Sequence, residues 1–131
     1  MPDRGGRTVL AFDFGLKRIG VAVGEPEVRA AHPLPPIAAP GFAAIERLVS
    51  EWRPARIVVG LPVAPRGEHA LAKRVERFAR QLEGRFHIPV ARVDERFTSV
   101  EAQSRLRGMK KGSVDSVAAQ LILEQYFDQA A

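Results

Sequence analysis

Two apolar runs separated by a very short turn constrain the fold of this chain most strongly. Residues 8–14 (TVLAFDF) and 18–24 (RIGVAVG) are rich in β-branched and other apolar side chains, a composition typical of buried strands. Only Gly15, Leu16 and Lys17 separate them. A connection this short allows the two strands to pair only as an antiparallel hairpin.

A third extended segment follows over residues 28–37 and contains three prolines, Pro33, Pro35 and Pro36. Proline has no backbone N–H to donate, so such a strand belongs at the edge of a sheet or ends early. We therefore predict a three-stranded antiparallel meander with this segment on its outer side.

Beyond the meander the hydrophobic pattern alternates between helical and strand periodicity. Pro54 ends the first predicted helix, and Gly84 predicts a left-handed C-cap for the second. Thr98 and Glu101 form a capping box that predicts a short third helix, broken near Gly108. The other predicted elements are a helix over residues 42–52, a strand over 56–60, a helix over 71–82, a strand over 89–94 and a last helix from Ser113 to about Tyr126.

This order of elements predicts an α/β fold. Right-handed crossovers would place the last two strands parallel to the first, giving a five-stranded mixed sheet with helices on both faces. The first, fourth and fifth strands would then end at one edge, where open α/β sheets place their sites. The length favours one domain over residues 1–131, with residues 1–6 as a flexible tail.

Acidic residues stand at three places that this topology brings to that edge. Asp13 ends the first strand, Asp94 and Glu95 end the fifth, and Asp115 lies in the first turn of the last helix. Each has an ordinary explanation as a turn cap, a strand terminator or a helix-dipole partner. Together they would supply the oxygen ligands that hard divalent cations prefer. Whether Asp94 or Glu95 completes such a set stays open at this level.

Composition narrows the chemistry further. The chain has no cysteine, which excludes disulfides and thiolate metal sites, and its three histidines are isolated. A net charge of +5 favours a polyanionic partner such as nucleic acid. Few aromatic residues interrupt the basic stretches, which favours recognition of the backbone over base stacking. No apolar segment is long enough to span a membrane, so we expect a cytoplasmic location.

Four sequence blocks resemble the YqgF family of RuvC-like proteins. They occur in the order of the family and extend from about Leu10 to Phe127. The blocks are LAFDFGLKRIGVAVG (residues 10–24), IVVGLP (57–62), DERFTS (94–99) and VDSVAA (114–119). The resemblance implies a ribonuclease H-like fold and a nuclease that matures the 5′ end of pre-16S rRNA in ribosome biogenesis. An older proposal for the family is Holliday-junction resolution.

The resemblance also implies functional residues. The catalytic and metal-binding positions are Asp13, Glu95 and Asp115, with Mg²⁺ or Mn²⁺ as the ion. The basic residues are candidates by position. Lys17, Arg18 and Arg96 stand next to the acids and could bind the scissile phosphates, and Lys110 and Lys111 lie in a basic stretch that directly precedes Asp115. The chain departs from the family at Val63–Gly67, where a polar turn is usual, so a ligand role for that loop is in doubt.

Three functions follow from these observations. The leading hypothesis is a metal-dependent endonuclease for structured RNA, with pre-16S rRNA as substrate. The alternatives are a Holliday-junction resolvase in DNA recombination and a non-catalytic RNA-binding factor in ribosome assembly. An actin-like phosphotransferase would share the early Asp-x-Gly hairpin, but the chain is too short for two lobes. The oligomeric state, monomer or dimer, is open.

Overall fold

The computed structural model describes residues 7–62, 69–95 and 114–130. The predicted helix between Thr98 and Gly108, the cap at Ser113, the tail over residues 1–6 and the Val63–Gly67 loop lie outside these ranges. None of the described helices combines the length and the apolar character that crossing a bilayer requires. The described elements are β1 (Val9–Asp13), β2 (Arg18–Glu25), β3 (Ala30–Ala38), α1 (Phe42–Trp52), β4 (Arg56–Leu61), α2 (His69–Phe86), β5 (Val90–Asp94) and α3 (Val114–Ala130).

The five strands form one mixed sheet in the order β3-β2-β1-β4-β5. Strand β1 pairs antiparallel with β2 and parallel with β4, and β4 pairs parallel with β5. The predicted meander and the two parallel strands are confirmed. The proline-rich β3 lies at the edge, as its missing N–H donors require.

Helices cover both faces of the sheet because the strands carry apolar side chains on both faces. On β1, Leu10 and Phe12 face α1 and α2, whereas Ala11 faces α3. Small residues on the second face let α3 pack close to the sheet. The α3 side of the core includes Ala11, Ala22, Val58, Val93, Ala119, Ile122 and Leu123.

Helix α2 ends later than the sequence predicts. It continues through Gly84 to Phe86, and the left-handed residue is His87, with φ 57°. The His87 N–H donates to the carbonyl of Glu83 at 3.0 Å. The predicted C-cap at Gly84 is therefore wrong. Phe86 and Ile88 pack against the core, and burying such side chains outweighs the cost of about 1 kcal/mol for a helical glycine.

Ser116 ties the first turn of α3 into the sheet. The register between β2 and β3 shifts between Ile19 and Val21. The buried Ser116 hydroxyl accepts a hydrogen bond from the Val21 N–H at 3.3 Å and donates one to the Leu34 carbonyl at 2.5 Å. Since Val21 and Leu34 are partners in the ladder, the hydroxyl bridges two strands at the irregularity.

Removal of this hydroxyl is expected to destabilise the protein. In Ser116→Ala the Val21 N–H and the Leu34 carbonyl lose their shared partner, and an unsatisfied buried polar group costs about 1–3 kcal/mol. Urea denaturation should show that loss in the free energy of unfolding. The matched control is Ser50→Ala on the exposed side of α1, which should change the free energy by less than about 0.5 kcal/mol. Equal stability of both variants would contradict the bridging role.

Candidate active site

Three parallel strands end together at one edge of the sheet. β1 ends at Asp13, directly after Phe12, which pairs with Val59 of β4; at the end of β4, Leu61 pairs with Asp94, the last residue of β5. The ladder extends one residue beyond β5, because the Glu95 N–H donates to the Leu61 carbonyl at 2.9 Å. Glu95 is thus held against β4 by a backbone hydrogen bond. The structure brings the predicted residues Asp13 and Glu95 to the same edge.

The pleat of the strands separates Glu95 from Asp94. Residues two apart on a strand share a face. Ala11 and Val93 belong to the core beneath α3, so Asp13 and Glu95 lie on the α3 face. Asp94 shares the opposite face with Arg92, whose guanidinium contacts two glutamates of α2. Glu95 is therefore the acidic residue of this pair that lies on the same face as Asp13.

Because Gly60 of β4 has no side chain, the Glu95 carboxylate has room to lie over that strand. A Cβ placed on Gly60 would stand 3.0 Å from Glu95 Oε2 and 2.9 Å from Ile122 Cγ1. Strand β4 lies between β1 and β5, whose axes are roughly 10 Å apart at about 4.8 Å per strand. Glu95 therefore occupies space over the intervening strand, on the side toward Asp13. Gly60 was not among the sequence-predicted site residues, although a glycine inside a strand is a recognised signal of close approach.

Substitution of this glycine is expected to disturb both the core and the carboxylate. In Gly60→Ala the new methyl group collides with Ile122 and presses on Glu95, and overpacking of this kind costs about 1–3 kcal/mol. Thermal denaturation should report the lower stability, and titration with Mn²⁺ should report weaker binding. Adding Ile122→Val removes the colliding Cδ1 atom and should restore part of the stability. A Gly60→Ala protein with wild-type stability and Mn²⁺ affinity would show that this space is not needed.

Burial raises the pKa of the Glu95 carboxyl above its ordinary value of 4.5. The cause is the loss of solvent around the charged form, and a bound cation would offset that loss. Asp13 is likewise only partly exposed. Within the described ranges no three acidic or histidine side chains converge on one point. The pair Asp13 and Glu95 fits a hard divalent cation by donor type and by shared face, and such an ion needs further oxygen ligands.

The third predicted acid, Asp115, lies at the start of α3, and its side chain is outside the described part of the chain. Its backbone position is nevertheless constrained. The next residue, Ser116, binds Val21 on β2, and the residue before Val21 is Gly20, the ladder partner of Asp13. The helix that carries Asp115 therefore begins close to the strand pair that carries Asp13.

The first two predicted substrate-binding residues lie at the end of the β1–β2 turn and at the start of β2, shortly after Asp13 in the chain. Lys17 and Arg18 are exposed, and the Lys17 carbonyl accepts a hydrogen bond from the Ala39 N–H at 2.9 Å. At Gly15 a Cβ would overlap the Arg18 carbonyl oxygen, so this turn requires glycine. The other predicted basic residues, Arg96, Lys110 and Lys111, lie outside the described ranges.

A family model described as "RuvX: Holliday junction resolvase" matches residues 7–129. The chain belongs to the RuvX family. The predicted resemblance is confirmed, since RuvX and YqgF denote one family. It is a family of nucleases and resolvases, that is, enzymes that hydrolyse phosphodiester bonds.

Similar proteins extend over nearly the whole chain. A relative from Methylobacillus flagellatus named "Putative pre-16S rRNA nuclease" is 54% identical, with 94% of this chain and 92% of the relative covered. One from Nitrosomonas europaea with the same name is 50% identical, with 92% and 89% covered. The family match over residues 7–129 includes the ends of β1, β4 and β5 and the start of α3.

Solved structures support the fold. The structure of T. thermophilus RuvC in complex with a Holliday junction substrate matches with a TM-score of 0.62 at 16% identity, covering 94% of each chain. The fowlpox virus Holliday junction resolvase matches with a TM-score of 0.60 at 9% identity, covering 95% of this chain and 99% of that one. The RuvX chain thus has the predicted ribonuclease H-like fold of these resolvases.

Proposed function

We propose that this RuvX chain is a metal-dependent endonuclease that processes the 5′ end of pre-16S rRNA in the cytoplasm. The observation that carries the proposal is the Glu95 carboxylate, which lies over Gly60 on the face of the sheet that also holds Asp13. Relatives about half identical to the chain are named for pre-16S rRNA, which supports RNA as the substrate. The net charge of +5 fits a phosphate backbone.

In the proposed site, Asp13, Glu95 and Asp115 would hold Mg²⁺ or Mn²⁺ through their carboxylate oxygens. When bound, these cations neutralise the charge that develops on the attacking and leaving oxygens of the phosphodiester. The backbone hydrogen bond from Glu95 to Leu61 and the anchor at Ser116 fix two of the elements that carry the acids. Anchoring of this kind would limit the reorganisation of the carboxylates during the reaction.

The basic residues beside the acids would bind the phosphates next to the scissile bond. Lys17, the last residue of the β1–β2 turn, and Arg18, the first residue of β2, are exposed at the end of the sheet where Asp13 lies. Arg96, Lys110 and Lys111 are proposed for the same task on sequence position alone. Phosphate contacts of this kind make binding salt-dependent and independent of sequence, so selectivity must come from the shape of the nucleic acid or from contacts to its bases.

The description of the family supports a second candidate function, resolution of Holliday junctions. A resolvase would use the same carboxylates on a four-way DNA junction. It would also need two sites at a fixed separation, as a dimer of this chain would provide.

A substrate panel tests the proposal. Purified full-length protein is incubated with Mg²⁺ or Mn²⁺ and with a 5′-extended 16S rRNA precursor, a four-way DNA junction or a matched duplex. We expect cleavage of the precursor at a defined 5′ position and little cleavage of the duplex. Faster cleavage of the junction would favour the resolvase. Tight RNA binding without cleavage under every metal condition would favour the assembly factor.

A further inference from the structure

A pocket lies at the same end of the sheet as Asp13 but on the opposite face, the one that α1 and α2 cover. It has a volume of about 320 Å³, and its walls include Phe14, Phe42, Arg74 and Arg77. Phe14 directly follows Asp13 and packs against the core on the α1 and α2 side. The pocket and the carboxylates are thus separated by a single residue step across the end of β1.

The aromatic walls of this pocket pack against one another and against the core. Phe78 is buried at its base, and its ring centroid is 4.9 Å from that of Phe14 and 6.0 Å from that of Phe42. The Arg85 guanidinium lies 4.0 Å over the Phe42 ring and covers one of its faces. Phe14, which is partly exposed, is therefore the ring most available for stacking.

Among the described residues, the acids of α2 contact an arginine of β5 and not the two arginines of the pocket. Glu76 and Glu83 each contact Arg92 of β5 at 2.9 Å. Hydrogen bonds to these glutamates raise the pKa of Arg92, and the hydrogen bond from Arg92 lowers the pKa of Glu83. In the part of the chain that the structure describes, neither Arg74 nor Arg77 forms an ion pair. Both side chains are exposed at the mouth of the pocket.

We propose that this pocket binds one unpaired nucleobase of the substrate strand next to the scissile phosphate. The proposal rests on the nuclease function and adds a determinant for single-stranded substrate at the cleavage position. Bases stack on aromatic rings and guanidinium planes, while arginines also neutralise the adjoining phosphates. The volume lies at the lower end of the range for small-ligand pockets, which suits one base and not a base pair.

The position of the pocket explains why the base and the scissile bond would be neighbours. Asp13 is the last residue of β1 and Phe14 is the next residue, and their side chains lie on opposite faces of the sheet; a nucleic-acid strand that crosses the end of β1 would therefore contact both. Few aromatic residues interrupt the basic stretches in the sequence, and that pattern favours recognition of the backbone alone. The tertiary structure instead brings Phe14, which directly follows β1, beside the arginines of α2.

A binding scan with abasic strands tests this pocket. Fluorescein-labelled single-stranded oligonucleotides, each with one abasic position, are titrated with full-length protein in EDTA, and Kd is read by fluorescence anisotropy. RNA and DNA versions are run in parallel to identify the sugar preference. For the wild-type protein we expect one abasic position, or two adjacent ones, to raise Kd roughly tenfold.

The same scan on variants connects the effect to the pocket. Phe14→Leu keeps an apolar side chain against Phe78 but removes the stacking ring, so the strand with all its bases should bind roughly tenfold more weakly and the abasic positions should have no further effect. A double variant, Arg74→Ala with Arg77→Ala, alters only exposed residues and should weaken both the abasic effect and overall affinity. The control pair is Arg47→Ala with Arg56→Ala, which removes the same charge elsewhere and should leave the abasic pattern intact.

The outcomes separate this pocket from the nuclease proposal. Identical Kd values for every abasic strand, or an unchanged abasic penalty in Phe14→Leu and in the Arg74/Arg77 variant, would overturn the base pocket. If the wild-type protein nevertheless binds and cleaves RNA, the nuclease function stands. If it neither binds nor cleaves any strand of the panel, both proposals fail together.

Discussion

Asp13→Asn is expected to lower metal-dependent cleavage by roughly 10³-fold or more while leaving the fold intact. Metal-based charge stabilisation contributes several kcal/mol to such a reaction, and each 1.36 kcal/mol is about tenfold in rate. Asparagine keeps the size of the side chain but removes the negative charge. Single-turnover cleavage of the preferred substrate measures the rate, and circular dichroism checks that the variant is folded.

The matched control is Asp128→Asn, the same substitution near the exposed end of α3. It should leave the cleavage rate within about twofold of wild type, because surface substitutions away from a site have small effects. Cleavage by Asp13→Asn at the wild-type rate would contradict the catalytic assignment. If that variant also supported ribosome maturation in cells, whereas loss of the basic residues abolished it, the protein would be an assembly factor.

Glu95→Gln is expected to abolish cleavage and at the same time to stabilise the metal-free protein at neutral pH. Burial raises the pKa of Glu95 above 4.5, so the folded protein binds this proton more tightly than the unfolded chain does. The stabilising contribution of the protonated carboxyl is full below pH 4.5 and is lost as the pH rises through the raised pKa. Glutamine does not titrate. The variant should therefore become more stable than the wild-type protein as the pH rises from 4.5 through the raised pKa of Glu95, and it should stay more stable at higher pH.

With divalent metal bound, the wild-type protein should become more stable than Glu95→Gln. At a metal concentration one hundred times Kd, a ligand that binds only the folded state adds about 2.7 kcal/mol of stability. Mg²⁺ or Mn²⁺ should therefore raise the Tm of the wild-type protein and have much less effect on Glu95→Gln. Thermal denaturation at several pH values, with and without metal, measures both effects.

Asp94→Asn is the neighbouring control for the Glu95 variant. Asp94 lies on the opposite face of β5, so this variant should retain cleavage and the metal-dependent rise in Tm. The opposite result would be that Asp94→Asn loses cleavage and the metal-dependent rise in Tm while Glu95→Gln keeps them. It would show that the pleat of β5 does not decide which acid binds the metal.

Several features of the fold follow from local sequence alone. The short turn after Asp13 leaves no alternative to a hairpin, and the prolines of β3 restrict that strand to an edge. The helix that Pro54 terminates ends at Trp52, within the predicted span. Gly84 shows where such reasoning fails, because a local helix-ending signal was overridden by the packing of Phe86 and Ile88.

The sequence by itself determined the order of the elements, the mixed sheet and the acidic residues at its edge. Those properties depend on hydrophobic periodicity, turn length and residue type, all of which are local. Only the tertiary structure decided that Glu95 and not Asp94 shares a face with Asp13, that Gly60 leaves room for its carboxylate, and that Phe14 joins the arginines of α2. These contacts depend on the exact strand register and on packing between residues distant in sequence, which local patterns do not specify.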